Sequence, residues 1–494
     1  MKMFETKPSN SLKIKIKKLK KLMQYGIFLI LQIVILTVAQ GQNMVFYGTA
    51  SYGGLNNKGV IFKTDNNGEN YTVVHDFSTE DGARPGTGAL CNINGVLYGT
   101  TEYGGVNNMG VLFSYNTINQ VYTNLHDFDT VSSGQAPRAS VILALNGKLY
   151  GTTHSGGLYN FGTLFEFDIQ TGNLTKKIDF DGVNTGRQSF SILMPASNGK
   201  LYGVTNRGGL SDWGVLYEYD YTTEVFLKLM DFGNTFGKSP TVLVEVDNGV
   251  LYGSCYIGGD FDDGTIFEYT ISTGKMIKKF DFNRLSTGSF IVRSLIKASN
   301  GKLYGITGWG MDELDVRGGV LFEYDVSAET YSVKQSFNNE MGHLSTSPLL
   351  EGSNGYLYGL AREGGLNNMG TLLEYHIDTN ALIKKRDFDV ATGAIPSAGL
   401  IELDEQALGI SDTDLNVTEI NIYPNPVTDN LTISSKNPNS FEITIFNILG
   451  SQVFYKAHVV NNEQLKVANL QTGLYVLKAT SISGHTETIK FIKN

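Results

Sequence analysis

The tripeptide aromatic-or-Leu, Tyr, Gly recurs seven times along the chain, with its tyrosine at Tyr47, Tyr98, Tyr150, Tyr202, Tyr252, Tyr304 and Tyr358. The spacings are 51, 52, 52, 50, 52 and 54 residues. A near-constant period of this length, with strand-forming content in every copy, predicts one four-stranded sheet per copy, arranged as the blades of a β-propeller. In the copy around Asn146 the strands read as Ala139 to Leu145, Lys148 to Thr153, Gly162 to Asp168 and Leu174 to Phe180. The first pair is joined by Asn-Gly, whose residues both tolerate the positive φ of a tight hairpin. The same turn recurs at Asn94-Gly95, Asn198-Gly199, Asn248-Gly249, Asn300-Gly301 and Asn354-Gly355. The apolar runs show little strict alternation, so both faces of each sheet are expected to pack against neighbours.

The ends of the repeat region complement each other. The chain enters at Asn43 to Thr49 with a second strand that has no first strand before it. It leaves at Pro396 to Asp404 with a first strand that has no second strand after it. Pairing these halves completes one blade and removes the exposed edges, which predicts an all-β, seven-bladed propeller over residues 42–404, closed by its own ends. The 57 glycines against 10 prolines, with 26 Tyr and 27 Phe, fit many short strands joined by tight turns.

The stretch Gly147 to Asp168, followed by a short turn and Lys176 to Phe180, resembles the GloVer tandem repeat, a family of exported bacterial β-propeller repeats without an agreed activity. The resemblance covers residues 43–404, because the Leu-Tyr-Gly, Gly-Gly and Gly-x-Leu-Phe-Glu-Tyr elements recur together at set offsets. The layout is also similar to the kelch blade. The sixth copy departs: Ile306 to Asp325 is longer, and Ser336-Phe337 replaces the usual Asp-Phe.

The first residues read differently. A basic stretch, Lys13 to Leu22, precedes an apolar run, Gly26 to Ala39, and then small residues. The run is shorter than the roughly 20 residues needed to span a bilayer, and the order matches a signal peptide over residues 1–41, cleaved near Gly41. Residues 1–41 hold eight lysines and one acidic side chain, which leaves 31 basic against 47 acidic groups, a net charge of about −16. Such a chain repels phosphate backbones and anionic lipid, so nucleic acid is not an expected partner, and no membrane span is expected after signal removal. Cys91 and Cys255 lie in strands of different copies and are expected to be buried thiols.

A polar linker, residues 405–418, ends the repeat, and residues 419–494 form a separate unit. Ile420 to Ile433, Phe441 to Phe454, Leu470 to Ala479 and Glu487 to Asn494 predict a small β-sandwich of six or seven short strands. The unit also resembles the type A C-terminal sorting domain of the type IX secretion system, through Tyr423 to Pro426, Phe446 to Gly450 and Thr472 to Lys478 in order. The resemblance implies a Gram-negative protein that engages the type IX secretion machinery through residues 419–494 and ends extracellular or on the outer cell surface.

Catalytic motifs are absent. There is no Gly-x-Ser-x-Gly elbow, no His-Glu-x-x-His, no Gly-x-x-x-x-Gly-Lys phosphate loop and no Cys-x-x-Cys. The recurring Asp-Phe pairs, such as Asp179-Phe180, sit at one radius around a ring and cannot converge on a substrate. The Phe is expected to pack between blades and the Asp to cap the turn that follows it. The Gly-Gly pairs at Gly53, Gly104, Gly156, Gly208, Gly258 and Gly364 read as loop geometry. His75 and His126 read as packing residues, and His154 lies in a loop of one copy only.

Function is expected where the copies differ, on the face that carries the loops joining strands two to three and four to one. Two sets stand out there. Asp260, Asp262 and Asp263 in the fifth copy, with Asp312, Glu313 and Asp315 in the sixth, form an acidic cluster of the kind that holds Ca²⁺, the one cofactor considered. Trp213, Trp309, Arg207 and Arg362, on equivalent loops, suit contact with a saccharide or protein. The reading is a non-enzymatic, exported binding module for an extracellular glycan or protein. The alternative is an extracellular polysaccharide hydrolase or lyase with carboxylates of the fifth and sixth copies as acid and base.

Overall fold

The structure is a computed structural model that describes residues 44–310, 318–343, 347–404, 420–435, 441–447, 452–460, 462–471, 473–481 and 486–493. The leader at 1–41, the linker at 405–418 and the acidic residues Asp312, Glu313 and Asp315 lie outside the described residues. The chain divides into two units, 1–410 and 411–494. Among the described residues every regular element is a strand.

The first unit holds seven antiparallel sheets among the described residues, ordered first to fourth strand, six of them each contributed by one contiguous copy of the repeat. The third sheet illustrates them: Ile142–Leu143, Leu149–Thr152, Thr163–Asp168 and Asn173–Asp179. Its third strand is buried from Thr163 to Phe167 regardless of parity, as a sheet covered on both faces requires. No sheet closes on itself; the ends of the repeat region meet instead. Met44–Tyr52 pairs antiparallel with Ala394–Pro396 and Ile401–Asp404, so the first sheet is built from both ends.

Seven apolar clusters fill the spaces between neighbouring sheets. Phe77 packs with Phe113 between the first and second sheets, and Phe128 with Phe165 between the second and third. The series continues around the unit until Phe388 of the seventh sheet meets Phe62 of the first, their rings 5.4 Å apart. The arrangement is propeller-like. Each of these phenylalanines belongs to an Asp-Phe pair or faces one, and all are buried.

The aspartate of the pair has a different role from the one its sequence position suggested. Asp179 does not cap the turn that follows it; its Oδ1 accepts the Leu158 N–H at 2.7 Å, in a loop 21 residues earlier. Asp76, Asp127, Asp231, Asp281 and Asp387 make the same bond to Leu55, Val106, Leu210, Asp260 and Leu366. In three copies the following turn is closed by an aspartate two residues on, Asp129, Asp181 or Asp389, as where Asp181 accepts the Asn184 N–H at 2.7 Å. The carboxylate reaches its target because the loop carries Gly-Gly. Gly157 has φ +76°, and a Cβ there would lie 2.5 Å from Asp179 Oδ1 and 2.7 Å from Thr163 Cγ2. Asp-Phe and Gly-Gly are thus two halves of one lock.

The opposite face is tied down by a side-chain network. Tyr150, fully buried, accepts a bond from Asn146 Nδ2 at 2.9 Å and donates to Glu166, which Lys148 also meets at 2.8 Å. The pattern repeats at Tyr202, Tyr304 and Tyr358. His75 stacks on Tyr122 and His126 meets Phe128 edge-on. Both cysteines are free; Cys255 is buried and Cys91 half-buried.

The second unit has a three-stranded sheet of Ile420–Tyr423, Asn430–Ser435 and Glu463–Lys466. Its four-stranded sheet is ordered Gln452–Val459, Phe441–Asn447, Gly473–Ser481 and Thr486–Lys493. Leu431, Ile433 and Leu465 of the first sheet share one core with Phe441, Ile443, Leu477 and Phe491 of the second.

The lock predicts unequal costs for two glycines of similar φ. Gly147, at +78°, has open space around its missing Cβ, so Gly147→Ala should cost about 1 kcal/mol from backbone conformation alone. Gly157→Ala must also displace a carboxylate and should cost about 3 kcal/mol or more. Denaturant midpoints of the two variants check this; equal costs would mean that the lock does not constrain the loop.

Candidate functional site

On the face where the first strands begin and the second strands end, residues of six of the seven copies surround a cavity of about 390 Å³. Three positions of the repeat supply most of its wall, each from some of the copies. One follows a recurring glycine by two residues and precedes proline in four of the copies, at Arg84, Ala136, Gln188, Ser239, Phe290 and Ile395. All six have φ between +54° and +60°. The left-handed backbone turns the chain at the mouth, where Arg84 and Ile395 line the cavity. Two residues further come Arg138, Phe190, Val292 and Ser397, also on the wall. The third position lies four residues after the tyrosine of Leu-Tyr-Gly and contributes Ser51, Glu102 and Arg362.

The mouth is basic and aromatic although the chain is acidic. Arg84 lies between two tyrosines, 4.6 Å from the Tyr52 ring centre and 5.5 Å from that of Tyr103. Arg138 directs both Nε and Nη2 at Glu102 Oε1, each at 2.6 Å, and its guanidinium sits 5.0 Å from the Phe190 ring. Arg293 donates from Nε to the Phe190 carbonyl at 3.0 Å and lies 5.6 Å from the same ring. It reaches this place from Ser289–Lys297, where the strand bulges between Ile291 and Leu295 and Arg293 takes φ +56°. Arg293 also borders two adjoining cavities of about 260 and 190 Å³. Burial and the neighbouring Arg138 pull its guanidinium down to about 10, so it stays charged at neutral pH.

His154 occupies the same mouth position as Glu102 and Arg362, with its ring 4.5 Å from Phe190. Burial, then Arg138 and Arg293, push its imidazole down to about 4. It is therefore neutral at pH 7 and available as a proton acceptor.

The residues singled out in the sequence are distributed unevenly around this mouth. Arg362 lines the central cavity and Arg207 the adjoining one. Trp213 is half-buried against the core between the fourth and fifth sheets, with Arg207 and Lys238 each 5.0 Å from its ring centre. Trp309 meets Phe290 at 5.2 Å and Arg284 at 5.3 Å, and neither tryptophan is on the wall of these cavities. The three described carboxylates of the acidic cluster are engaged separately. Asp260 pairs with Lys278 at 2.9 Å, Asp262 with Lys238 at 3.1 Å, and Asp263 accepts the Arg284 N–H at 2.8 Å. Among the described residues no group of three His, Cys, Asp or Glu is placed to hold a metal ion. Glu102, Arg84, Arg138 and Arg293 were not singled out in the sequence. Their signal was available: aligning the copies on the recurring glycine and on Leu-Tyr-Gly shows a different residue at these positions in nearly every copy.

The placement of His154 sets a pH dependence. Because its folded value lies below the ordinary 6.5, the unfolded chain binds more protons between about pH 6.5 and 4. Stability should therefore fall as the pH drops through that window. His154→Gln should remove this part of the loss, and Arg138→Gln should raise the titration midpoint of His154 in an NMR titration. A His154 midpoint near 6.5 would contradict the placement.

Comparison with known proteins follows the same division of the chain. Residues 421–494 match the secretion system C-terminal sorting domain, so the protein is exported, to the cell surface or beyond it. Among the described residues no helix is long and apolar enough to cross a membrane. A curated relative, the ulvan lyase NLR42 of Nonlabens ulvanivorans, is 25% identical over 130 residues; the match takes in 26% of this chain and 22% of that protein. Among solved structures, PorZ of Porphyromonas gingivalis, a surface component of the type IX secretion system, aligns at a TM-score of 0.44 and 14% identity, over 88% of this chain and 63% of PorZ. A 6-phosphogluconolactonase candidate from Bacteroides uniformis aligns at 0.52 and 13% identity, over 73% of this chain and 99% of its own, and shares the fold. Over the repeat region, residues 34–194, 180–343 and 234–423 match the Gloeobacter/Verrucomicrobia repeat, in keeping with its seven sheets. A repeat that spans most of the chain sets its membership: the protein belongs to the Gloeobacter/Verrucomicrobia repeat family.

Proposed function

We propose that the chain is an exported seven-bladed propeller that acts without catalysis as a binding module, taking an extracellular glycan over the axial mouth. Its kelch-like blades close through the pairing of the chain's two ends. Its C-terminal sandwich is the part that the type IX machinery reads. One observation carries the reading: guanidinium and aromatic side chains from several sheets converge at the mouth, at the positions where otherwise near-identical copies differ. Repeated positions build the ring, and unrepeated ones are free to serve a ligand. Rings such as Phe190 hold the arginines in place, and the arginines offer planar donors to the oxygens of a sugar.

The test is binding of the full-length exported protein to immobilised glycans. Arg84→Ala, at the mouth, should weaken binding by about 2 kcal/mol, as loss of an anchoring arginine does. Gln170→Ala, on an exposed turn of the opposite face, should bind as the parent does. Equal binding by the two variants would sink the assignment of the face, and capture of a protein in place of any glycan would sink the ligand class.

A second reading is a polysaccharide lyase, and its specific support is His154, held neutral beside Arg138 and Arg293 with Glu102 and Tyr103 on the same mouth. In this reading the arginines hold a substrate carboxylate and the positioned imidazole takes the neighbouring proton. Release of unsaturated sugar ends, followed by ultraviolet absorbance and lost in His154→Gln, would replace the binding reading with this one.

A further inference from the structure

We propose that the axial mouth is a seat for an anionic group, and that the saccharide it takes is acidic, bearing carboxylate or sulfate. The inference rests on the reading of the mouth as a glycan site and names the ligand class of that site. Four arginines border the cavity and its wall includes one carboxylate. That carboxylate, Glu102, is committed to Arg138 through two contacts. Among the described residues no carboxylate lies in ion-pairing range of Arg84, Arg293 or Arg362. Burying like charges around one cavity is unfavourable unless an opposite charge completes the set. The guanidinium fork matches the paired oxygens of a carboxylate or sulfate.

Arg293 is the centre of this argument. The equivalent positions of the other copies are Thr87, Ala139, Ser191, Val242, Ser347 and Ala398, none of which has positive φ. Among the described residues only the sixth sheet has a bulge that brings a second left-handed residue into the first strand, and that residue is an arginine on the cavity wall. Backbone strain of this kind persists where the surroundings over-determine it, and it clusters at ligand sites. Its Nε is held by the Phe190 carbonyl, so the remaining donors of the fork are the ones presented to the cavity.

The acidic chain as a whole sets a further condition. Its repulsion of polyanions is screened beyond about 8–10 Å in physiological salt, while the mouth acts at contact distance. That combination favours acidic groups spaced along a sugar chain over a densely charged polymer such as nucleic acid. The cavity volume lies within the range of small-molecule sites.

The experiment titrates the full-length exported protein with an oligogalacturonate, with its fully methyl-esterified counterpart, with a sulfated oligosaccharide and with a poly-glutamate peptide. Arg293→Gln and Arg362→Gln are tested alongside, each checked for an unchanged thermal midpoint. Arg362 is exposed and serves if the Arg293 variant does not fold. The expected result is binding of an acidic sugar, none of the ester, loss of about ten- to hundredfold in each variant and weakening with salt. The uronate and sulfate arms then tell which acidic group is taken. Equal binding of the ester would overturn the anion seat and leave the glycan reading standing. Acidic sugars that bind both variants as well as the parent would also overturn the seat. Binding of the peptide alone would overturn the saccharide class, and no binding of any saccharide would overturn the glycan reading itself.

Discussion

A four-stranded sheet that is apolar on both faces cannot stand alone in water, and everything else in the repeat region follows from that constraint. Each sheet must be covered twice, so each copy of the repeat needs a neighbour on either side. The phenylalanine of the Asp-Phe pair fills the gap to the next sheet, and the seventh such gap is filled between Phe388 and Phe62, residues at opposite ends of the repeat region. The pairing of Met44–Tyr52 with Ala394–Pro396 and Ile401–Asp404 brings the same two ends together through the backbone. Side-chain packing and strand pairing thus impose one arrangement by independent means.

The lock between Asp-Phe and Gly-Gly connects this packing to the face that carries the cavity. The buried phenylalanine holds the end of the fourth strand, and the adjoining carboxylate holds the loop between the second and third strands by its backbone N–H. Because the bond is to backbone, it leaves the loop side chains free to vary. The mouth residues lie at the ends of strands anchored in this way, and their variety costs the scaffold little. Glu102, His154 and Arg362 occupy one equivalent position with three different chemistries on the same framework.

The mouth itself was only partly legible from the sequence. Arg362 and Arg207 could be singled out as basic residues in loops, and both border the central cavities. Trp213 and Trp309 drew attention for the same reason, yet arginines and lysine cover their rings, and Trp213 is wedged between sheets. Composition cannot tell an aromatic residue that faces solvent from one that seals a gap. Arg138 lies in the segment leading into a first strand and Arg293 within one, where a charged residue reads as one more position of the repeat. Only the convergence of first strands at the axis makes those positions neighbours.

The sequence by itself determined the period, the seven copies, the complementary ends and the separate C-terminal unit, because these depend on local strand and turn chemistry repeated at a constant interval. It also determined export, through a terminal segment whose strand pattern and turn residues are contiguous in the chain. Tertiary structure alone decided which aspartate bond holds the loops, since Asp179 and Leu158 are 21 residues apart and nothing local pairs them. It alone decided that Arg84, Arg138, Arg293 and Arg362, spread over some three hundred residues of chain, face one cavity. The physical reason is that packing repeated sheets side by side joins residues by their position in the repeat and not by their distance along the chain.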